Sequence, residues 1–220
     1  MLNQQLISSE IAPLHPDQTV EVALAKMEAD ALGHLPVVLD GAFVGILAED
    51  DLLDEEDSQQ KISALQDRYL PFCVLADEHF YTAASIMAGR HLSLIPVVAS
   101  NREYVGAISK STLLEQLIQM TGVMTGGALV VIEMEPTAFS ISELSKLVET
   151  NDAHITQLNT AINEVSGLLT ATMRINKQEV SDIIATLQRY EYHVVYYAGE
   201  EQYENELRRN YHHLMSFLNM

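Results

Sequence analysis

Hydrophobic and polar positions in the first half of the chain follow one order twice. The first copy reads Ala23-Leu24-Ala25-Lys26-Met27, then a gap, then Leu35-Pro36-Val37-Val38. The second copy reads Ala83-Ala84-Ser85-Ile86-Met87, then an equal gap, then Ile95-Pro96-Val97-Val98. The two methionines and the two prolines are each 60 positions apart. A repeat of this length indicates two copies of one supersecondary unit.

Each copy continues with an aromatic-valine-glycine triplet and a pair of leucines. These segments are Phe43-Val44-Gly45 with Leu52-Leu53, and Tyr104-Val105-Gly106 with Leu113-Leu114. In each copy we predict a helix (about 20–29 and 81–89), a strand that begins at the proline, a hairpin, a second strand and a helix near the leucine pair. Asp40-Gly41 is typical of a two-residue hairpin turn.

The pattern changes after Gly122, Gly126 and Gly127. It predicts strands at 128–134, about 155–165, about 168–175 and 193–197. One helix begins at the capping box Ser140-Ile141-Ser142-Glu143, and another follows Asn176-Lys177-Gln178-Glu179. Their apolar stripes are Ile141, Leu144, Leu147 and Val148, and Val180, Ile183, Ile184 and Leu187. The order βαββαβ is that of the ferredoxin-like motif.

The last 21 residues have a helical pattern of their own. Tyr203, Leu207, Tyr211, Leu214 and Leu218 recur at helical spacing. They predict a final amphipathic helix over 200–220. Docking on its own domain and exchange onto a partner subunit both stay open as interpretations.

Charge and composition narrow the classes of function. The chain has 220 residues, with 12 Lys and Arg against 31 Asp and Glu and a formal net charge of -19. A field of this sign repels nucleic acid and anionic membranes, so neither is an expected partner. The N-terminus does not look like a signal peptide, no apolar run is long enough to span a bilayer, and the single cysteine, Cys73, lies in an apolar run. We therefore expect a soluble protein of the cytoplasm.

No motif typical of catalysis is present in the sequence. It contains no Gly-rich phosphate loop with lysine, no nucleophile elbow and no clustered metal-ligand spacing. We interpret the acidic run from Glu49 to Asp57 as solvated surface, although such oxygens also suit divalent cations. Adjacent His212 and His213 make a weak metal pair, because neighbours on a helix point apart. We therefore expect a protein that is not an enzyme, with no required cofactor and no metal site.

The repeated helix, Pro-Val-Val strand, hairpin, Val-Gly strand and Leu-Leu helix resemble a tandem pair of cystathionine-β-synthase-type (CBS) domains. The resemblance covers about residues 1–120, which we divide into modules at 1–60 and 61–122. It implies an α/β fold that binds an adenosine-containing effector such as AMP, ATP or S-adenosylmethionine in clefts between the modules.

The residues that usually bind this ligand in the family are a Ser or Thr after the Val-Gly strand and an Asp three positions later. The corresponding residues here are Ala48 with Asp51, and Ser109 with Thr112, so each module keeps half of the pair. Asp51 also fits a carboxylate at a helix N-terminus, and Ser109 with Thr112 also fits an ordinary helix N-cap.

Residues 127–199 resemble an ACT domain, with the effector turn at Glu135, Thr137 and Ala138. The turn lacks the glycine usual in that family. The whole arrangement is similar to the acetoin-utilisation-protein-B-like group, which implies a homodimeric regulator that couples a small-molecule effector to a protein target. The alternative is a constitutive oligomerisation module with degenerate ligand sites, which the incomplete Ser/Thr-to-Asp pairs favour.

Overall fold

A computed structural model describes residues 1–8 and 11–199 of the chain. Its internal contacts divide the chain into two units, Met1–Leu117 and Ile118–Met220. Each unit is described by itself.

The first unit contains the predicted element order twice. The first copy consists of α1 (Val20–Asp30), β1 (His34–Leu39), β2 (Ala42–Ala48) and α2 (Glu49–Leu53). The second consists of β3 (Val74–Leu75), α3 (Tyr81–Arg90), β4 (Leu94–Val98), β5 (Tyr104–Ser109) and α4 (Lys110–Met120). Short 3-10 turns lie at Asn3–Leu6 and Ile62–Arg68. The helix, hairpin and helix predicted for each copy are confirmed.

The two hairpins share their register. β1 pairs antiparallel with β2 and β4 with β5, and both pairs carry a bulge, after Val37 and after Val97. The turn residues Asp40 and Gly41 have φ of 50° and 79°, the positive values that a two-residue type I′ turn needs. The predicted hairpin turn is therefore confirmed.

Each proline lies inside its strand. Pro36 is the third residue of β1, and Pro96 is the third residue of β4. The prediction that each strand begins at its proline is therefore wrong by two residues. Proline is tolerated at position 36 because its carbonyl faces Leu14, whose N–H donates to it at 2.8 Å. The missing N–H faces the same side, so the ladder to β2 loses no hydrogen bond.

The two copies complete each other's cores. One core contains Leu14, Val20, Ala23, Met27, Leu35, Val37, Leu47, Leu52, Ile62, Leu65, Leu94 and Ala107. The other contains Leu6, Phe43, Ile46, Val74, Phe80, Ala83, Met87, Leu92, Ile95, Val97, Val98, Ile108 and Leu113. Leu94 and Ala107 of the second copy thus pack in the core of the first copy. Phe43 and Ile46 of the first copy pack in the core of the second. Because both cores draw on both copies, the copies form one cooperative unit.

The second unit forms a ferredoxin-like sheet covered by two helices. Its elements are β6 (Ala128–Met134), α5 (Ile141–Glu149), β7 (Ile155–Ile162), β8 (Leu169–Ile175), α6 (Ser181–Arg189) and β9 (His193–Ala198). The strand order is β7-β8-β6-β9, and every neighbouring pair is antiparallel. Alternate residues of β6 and β8 are buried against the helices. The predicted βαββαβ order is confirmed.

Two boundaries in this unit differ from the prediction. β7 ends at Ile162 because the Asn163 side chain accepts hydrogen bonds from the backbone of Val165 and Ser166, at 2.9 and 3.2 Å, and so forms a turn. Asn176 does not cap α6, because its side chain accepts from the backbone N–H of His154 at 2.7 Å. The helix predicted over 200–220 lies outside the described residues.

Candidate functional site

A polar cavity lies in the first unit, where the two copies meet. Its volume is about 370 Å³. The lining comes from the N-terminal segment, the end of α1 and the junction of β5 with α4, and consists of Ser8, Ile11, Ala29, Asp30, Leu32, Ser109, Ser111 and Thr112. The cavity therefore combines side chains that are about 100 residues apart in the chain.

Ser109 and Thr112 are brought together in this cavity. Ser109 is buried, with 8% of its surface exposed. Its Oγ lies 2.7 Å from Ser111 Oγ and 2.9 Å from Thr112 Oγ1. It also accepts the backbone N–H of Thr112 at 3.1 Å, which is the hydrogen bond of a helix N-cap. Capping and a place in the cavity wall are thus compatible roles for Ser109.

Sequence reasoning missed Asp30. It is the last residue of α1, and the left-handed Ala31 (φ 52°) ends the helix directly after it. Asp30 is exposed and supplies the charge of the lining. No local pattern marks Asp30, because the fold decides which residues line the cavity.

Ala48 and Asp51 lie at the equivalent junction of the first copy, away from this cavity. Ala48 precedes α2 and offers no side-chain cap, and Asp51 is half-buried in the first turn of that helix. Arg68, which sequence reasoning also missed, donates from Nη1 to the Asp51 carbonyl at 2.9 Å. Its Nη2 pairs with Glu55 at 2.8 Å. Arg68 therefore offsets part of the acidic run, and no periodic pattern marks it.

His34 and Ser93 connect the two copies next to this junction. His34 Nδ1 lies 3.2 Å from Ser93 Oγ and accepts the Ser93 backbone N–H at 3.3 Å. Burial lowers the pKa of His34 from its usual 6.5, against the opposing charges of Asp50, Asp51 and Glu49. The neutral imidazole is therefore the form that fits this contact.

The predicted effector turn of the second unit is on the surface. Glu135 precedes the 3-10 turn Pro136–Ala138, and Glu135, Thr137 and Ala138 are all exposed. Ser140 then caps α5 by accepting the Glu143 backbone N–H at 3.3 Å. Of the two hydrogen bonds of the predicted capping box, the one from the Glu143 backbone to the Ser140 side chain is thus confirmed.

Two further features bear on the chemistry of the chain. Within residues 1–8 and 11–199, no group of three or more His, Cys, Asp or Glu is arranged to hold a metal ion. Cys73 is half-buried, and burial raises the pKa of its thiol.

Within residues 1–8 and 11–199, no helix has the length and hydrophobicity needed to cross a membrane.

Comparisons with known proteins concern the first half of the chain. The family model described as CBS domain matches residues 4–58 and 70–119. A CBS domain-containing protein from Dictyostelium discoideum is 26% identical over 136 residues, which cover 54% of this chain and 93% of that protein.

Two solved structures are also similar. A CBS domain pair/ACT domain protein from Thermotoga maritima is 22% identical with a TM-score of 0.49, and the match covers 55% of this chain and 98% of that one. The protein named CBSX2, solved in complex with AMP, is 18% identical with a TM-score of 0.45, and the match covers 54% of this chain and 97% of that one.

Proposed function

Because residues 4–58 and 70–119 are two CBS domains in tandem, we propose that this chain is a regulatory protein whose first unit binds an adenosine-containing ligand. CBS domains are typically regulatory modules, and the resemblance to the family implies a ligand of this class. The observation that carries the proposal is the cavity lined by Ser109, Ser111, Thr112 and Asp30.

The lining suits a nucleoside. Hydroxyl groups can donate hydrogen bonds to the ribose and the base and can accept hydrogen bonds from them. A carboxylate can accept hydrogen bonds from two ribose hydroxyls. The apolar side chains of Ile11 and Leu32 provide contact for a planar base. The volume of about 370 Å³ falls within the range of roughly 300–1,000 Å³ that is common for small-molecule sites.

Charge selects among adenosine ligands. Among the described residues that line the cavity, Asp30 is charged and none is basic. The chain as a whole has a net charge of -19, so a triphosphate meets repulsion both inside and outside the cavity. We therefore expect adenosine and the sulfonium cation S-adenosylmethionine to bind more tightly than AMP, and AMP more tightly than ATP.

A ligand panel tests the proposal. A ligand that binds the folded state at ten times its Kd stabilises it by about 1.4 kcal/mol, which thermal denaturation of the full chain detects. We expect adenosine or S-adenosylmethionine to raise the Tm and ATP to raise it least. If no member of the panel changes the Tm at millimolar concentration, the proposal is wrong. If ATP raises the Tm as much as adenosine does, only the predicted order of affinities is wrong.

A variant of Thr112 connects binding to the cavity. Thr112→Val removes one hydroxyl and keeps the backbone N–H that Ser109 caps. We expect calorimetry to show affinity weakened about threefold to tenfold, as for one neutral hydrogen bond. Thr82→Val on the exposed side of α3 is the matched control and should bind like the wild type. Equal affinities for the two variants would place the ligand elsewhere.

The second candidate function is a constitutive oligomerisation module. It is favoured by the hydroxyls of Ser109, Ser111 and Thr112, which already satisfy one another without a ligand. It is also favoured by Ala48, which brings no hydroxyl to the first junction. The same ligand panel separates the candidates, because a constitutive module gives no ligand-dependent Tm.

Several narrower expectations stay predictions. These are a homodimer, a protein target, an amino-acid effector at Glu135, Thr137 and Ala138, the cytoplasmic location and the module boundaries. Light scattering coupled to size exclusion checks the first, with a molar mass of twice that of the chain as the expected result. A mass of one chain across the concentration range would contradict it.

A further inference from the structure

The second unit contains a cavity on the face of its sheet that the helices leave uncovered. Cross-strand register places Arg174 of β8 beside Gln157 of β7 and Leu129 of β6 on this face. In the next row, Thr172 lies beside Asn159 and Val131. These residues alternate with the buried ones that face α5 and α6. The uncovered face therefore has a cation toward one end and two amides on its edge strand β7.

The segment at 121–126 folds over one end of this face. Arg174 Nη1 donates to the Thr125 carbonyl at 2.9 Å. Gly122 has φ of 59°, and a Cβ added there would lie 3.5 Å from Arg174 Cδ and 3.7 Å from Gln157 Cδ. The Thr125 hydroxyl closes the turn by donating to the Gly122 carbonyl at 2.7 Å. One hydrogen bond from the sheet, made by Arg174, thus holds the segment, and Gly122 lies close to the side chains of Arg174 and Gln157.

A cavity of about 330 Å³ remains between the segment and the sheet. It is lined by Thr121, Val123, Leu129, Gln157, Asn159, Thr172 and Arg174. Val123 and Leu129 give it apolar walls, the amides and hydroxyls provide hydrogen-bonding groups, and Arg174 provides the charge. Among these described residues none is acidic.

Arg174 is half-buried, and part of its guanidinium lacks a hydrogen-bond partner. Its Nε is buried and has no hydrogen-bond partner. None of the three ion pairs in the described part of the chain involves Arg174. A buried donor without an acceptor is costly, and a guanidinium is matched best by a planar carboxylate that takes two parallel N–H bonds. Within residues 1–8 and 11–199 the Arg174 guanidinium has no carboxylate partner, so it can pair with an acid that enters the cavity.

We propose that this cavity binds a small monocarboxylic acid with a short apolar chain. The carboxylate pairs with the Arg174 guanidinium, and the apolar chain packs between Val123 and Leu129. The amides of Gln157 and Asn159 complete the hydrogen bonds around the acid. A single arginine in a strongly acidic protein neutralises a monoanion, whereas phosphate carries more charge than this lining offsets. The site is separate from the adenosine cavity and does not depend on it.

The test observes Arg174 directly in the full-length wild type. Nitrogen-15 spectra resolve arginine Nε–H groups, and Arg174→Lys assigns the Arg174 signal by its absence. Titration with isovalerate should shift that signal to saturation with a Kd of about 1 mM or lower. Isovaleramide, which has the same shape without the charge, should leave it in place. No saturable shift with isovalerate, or an equal shift with the amide, would overturn the proposal.

Matched variants complete the test. Arg174→Lys keeps the charge and loses the paired N–H geometry, so we expect affinity for isovalerate to fall by about tenfold or more. Arg189→Lys on the exposed end of α6 is the control and should bind like the wild type. Wild-type affinity in Arg174→Lys would contradict the assignment. A tripeptide that ends in leucine is a further probe. If it binds as tightly as isovalerate, the ligand is the C-terminus of a peptide and not a free acid, which would also overturn the proposal.

Discussion

His34 shows how a single side chain couples the two copies of the first unit. Its Nδ1 accepts the Ser93 backbone N–H, which a protonated ring cannot do. Burial is the larger influence on its pKa and lowers it, while the carboxylates of Glu49, Asp50 and Asp51 act in the opposite direction. We therefore expect protonation of His34 to weaken this contact between the copies.

The sign of this effect follows from linkage. Because the pKa of His34 is lower in the folded state than its usual 6.5, the stability from this group is complete above about pH 6.5 and is lost as the pH falls through the folded pKa. His34→Asn keeps an acceptor for Ser93 and does not titrate. We predict that the Tm of the wild type, measured relative to this variant, falls between about pH 7.5 and about pH 5.5.

A control variant isolates the effect of position 34. His154→Gln replaces an exposed histidine of the second unit and should follow the wild-type pH profile. A constant Tm difference between wild type and His34→Asn over this pH range would show that His34 does not carry the coupling.

At the residue scale, the sequence was informative where a family position and a local rule coincide. Ser109 could be placed because a hydroxyl before a helix fits a cap and is also the ligand position that the family resemblance implies. Asp30 and Arg68 could not, because the tertiary structure decides which helix end meets the other copy. Arg68 reaches Asp51 across 17 positions through a 3-10 turn whose path has no simple periodicity.

At the element scale, the repeated Val-Gly pair has a steric cause. A Cβ added at Gly45 would lie 2.7 Å from Tyr69 Cβ, and one added at Gly106 would meet Ile7 Cγ2. Tyr69 and Ile7 belong to the segments that cross from one copy to the other, beside the bridges Ile46 to Leu70 and Ser8 to Ala107. Glycine is therefore required where a crossing segment lies against the second strand of each hairpin.

Substitution of these glycines tests this packing. We predict that Gly45→Ala and Gly106→Ala each destabilise the first unit by about 1–3 kcal/mol, because the added methyl overpacks the crossing. Urea denaturation measures the change. Gly89→Ala in α3, where an added Cβ meets nothing within 4 Å, should be neutral or stabilising by about 0.5–1 kcal/mol. If all three variants behave alike, the crossing does not explain the repeated glycine.

The elements themselves follow closely from sequence pattern. Alternation fixes β6 and β8, and Asp40-Gly41 fixes the first hairpin, because these signals are local. The start of β1 could not be placed from its proline, since the tolerance of Pro36 depends on Leu14, which lies 22 positions earlier. Strand ends depend on such tertiary partners, which no local pattern contains.

At the scale of the whole first unit, the proposed function depends on how the two copies pack against each other. Leu94 and Ala107 complete one core, and Phe43 and Ile46 complete the other. This exchange aligns the end of α1 in one copy with the start of α4 in the other and leaves a cavity between them. A ligand there contacts both copies, so its binding free energy can favour one arrangement of the pair over another.

Hydrogen-deuterium exchange of the full chain with and without adenosine tests the central proposal most directly, because it locates the ligand as well as detecting it. We predict slower exchange with adenosine in peptides that cover 26–33 and 107–116, the two sides of the cavity. Thr112→Val should reduce this protection at the same adenosine concentration. Unchanged exchange in both segments at saturating adenosine, or protection found elsewhere in the chain alone, would contradict the account.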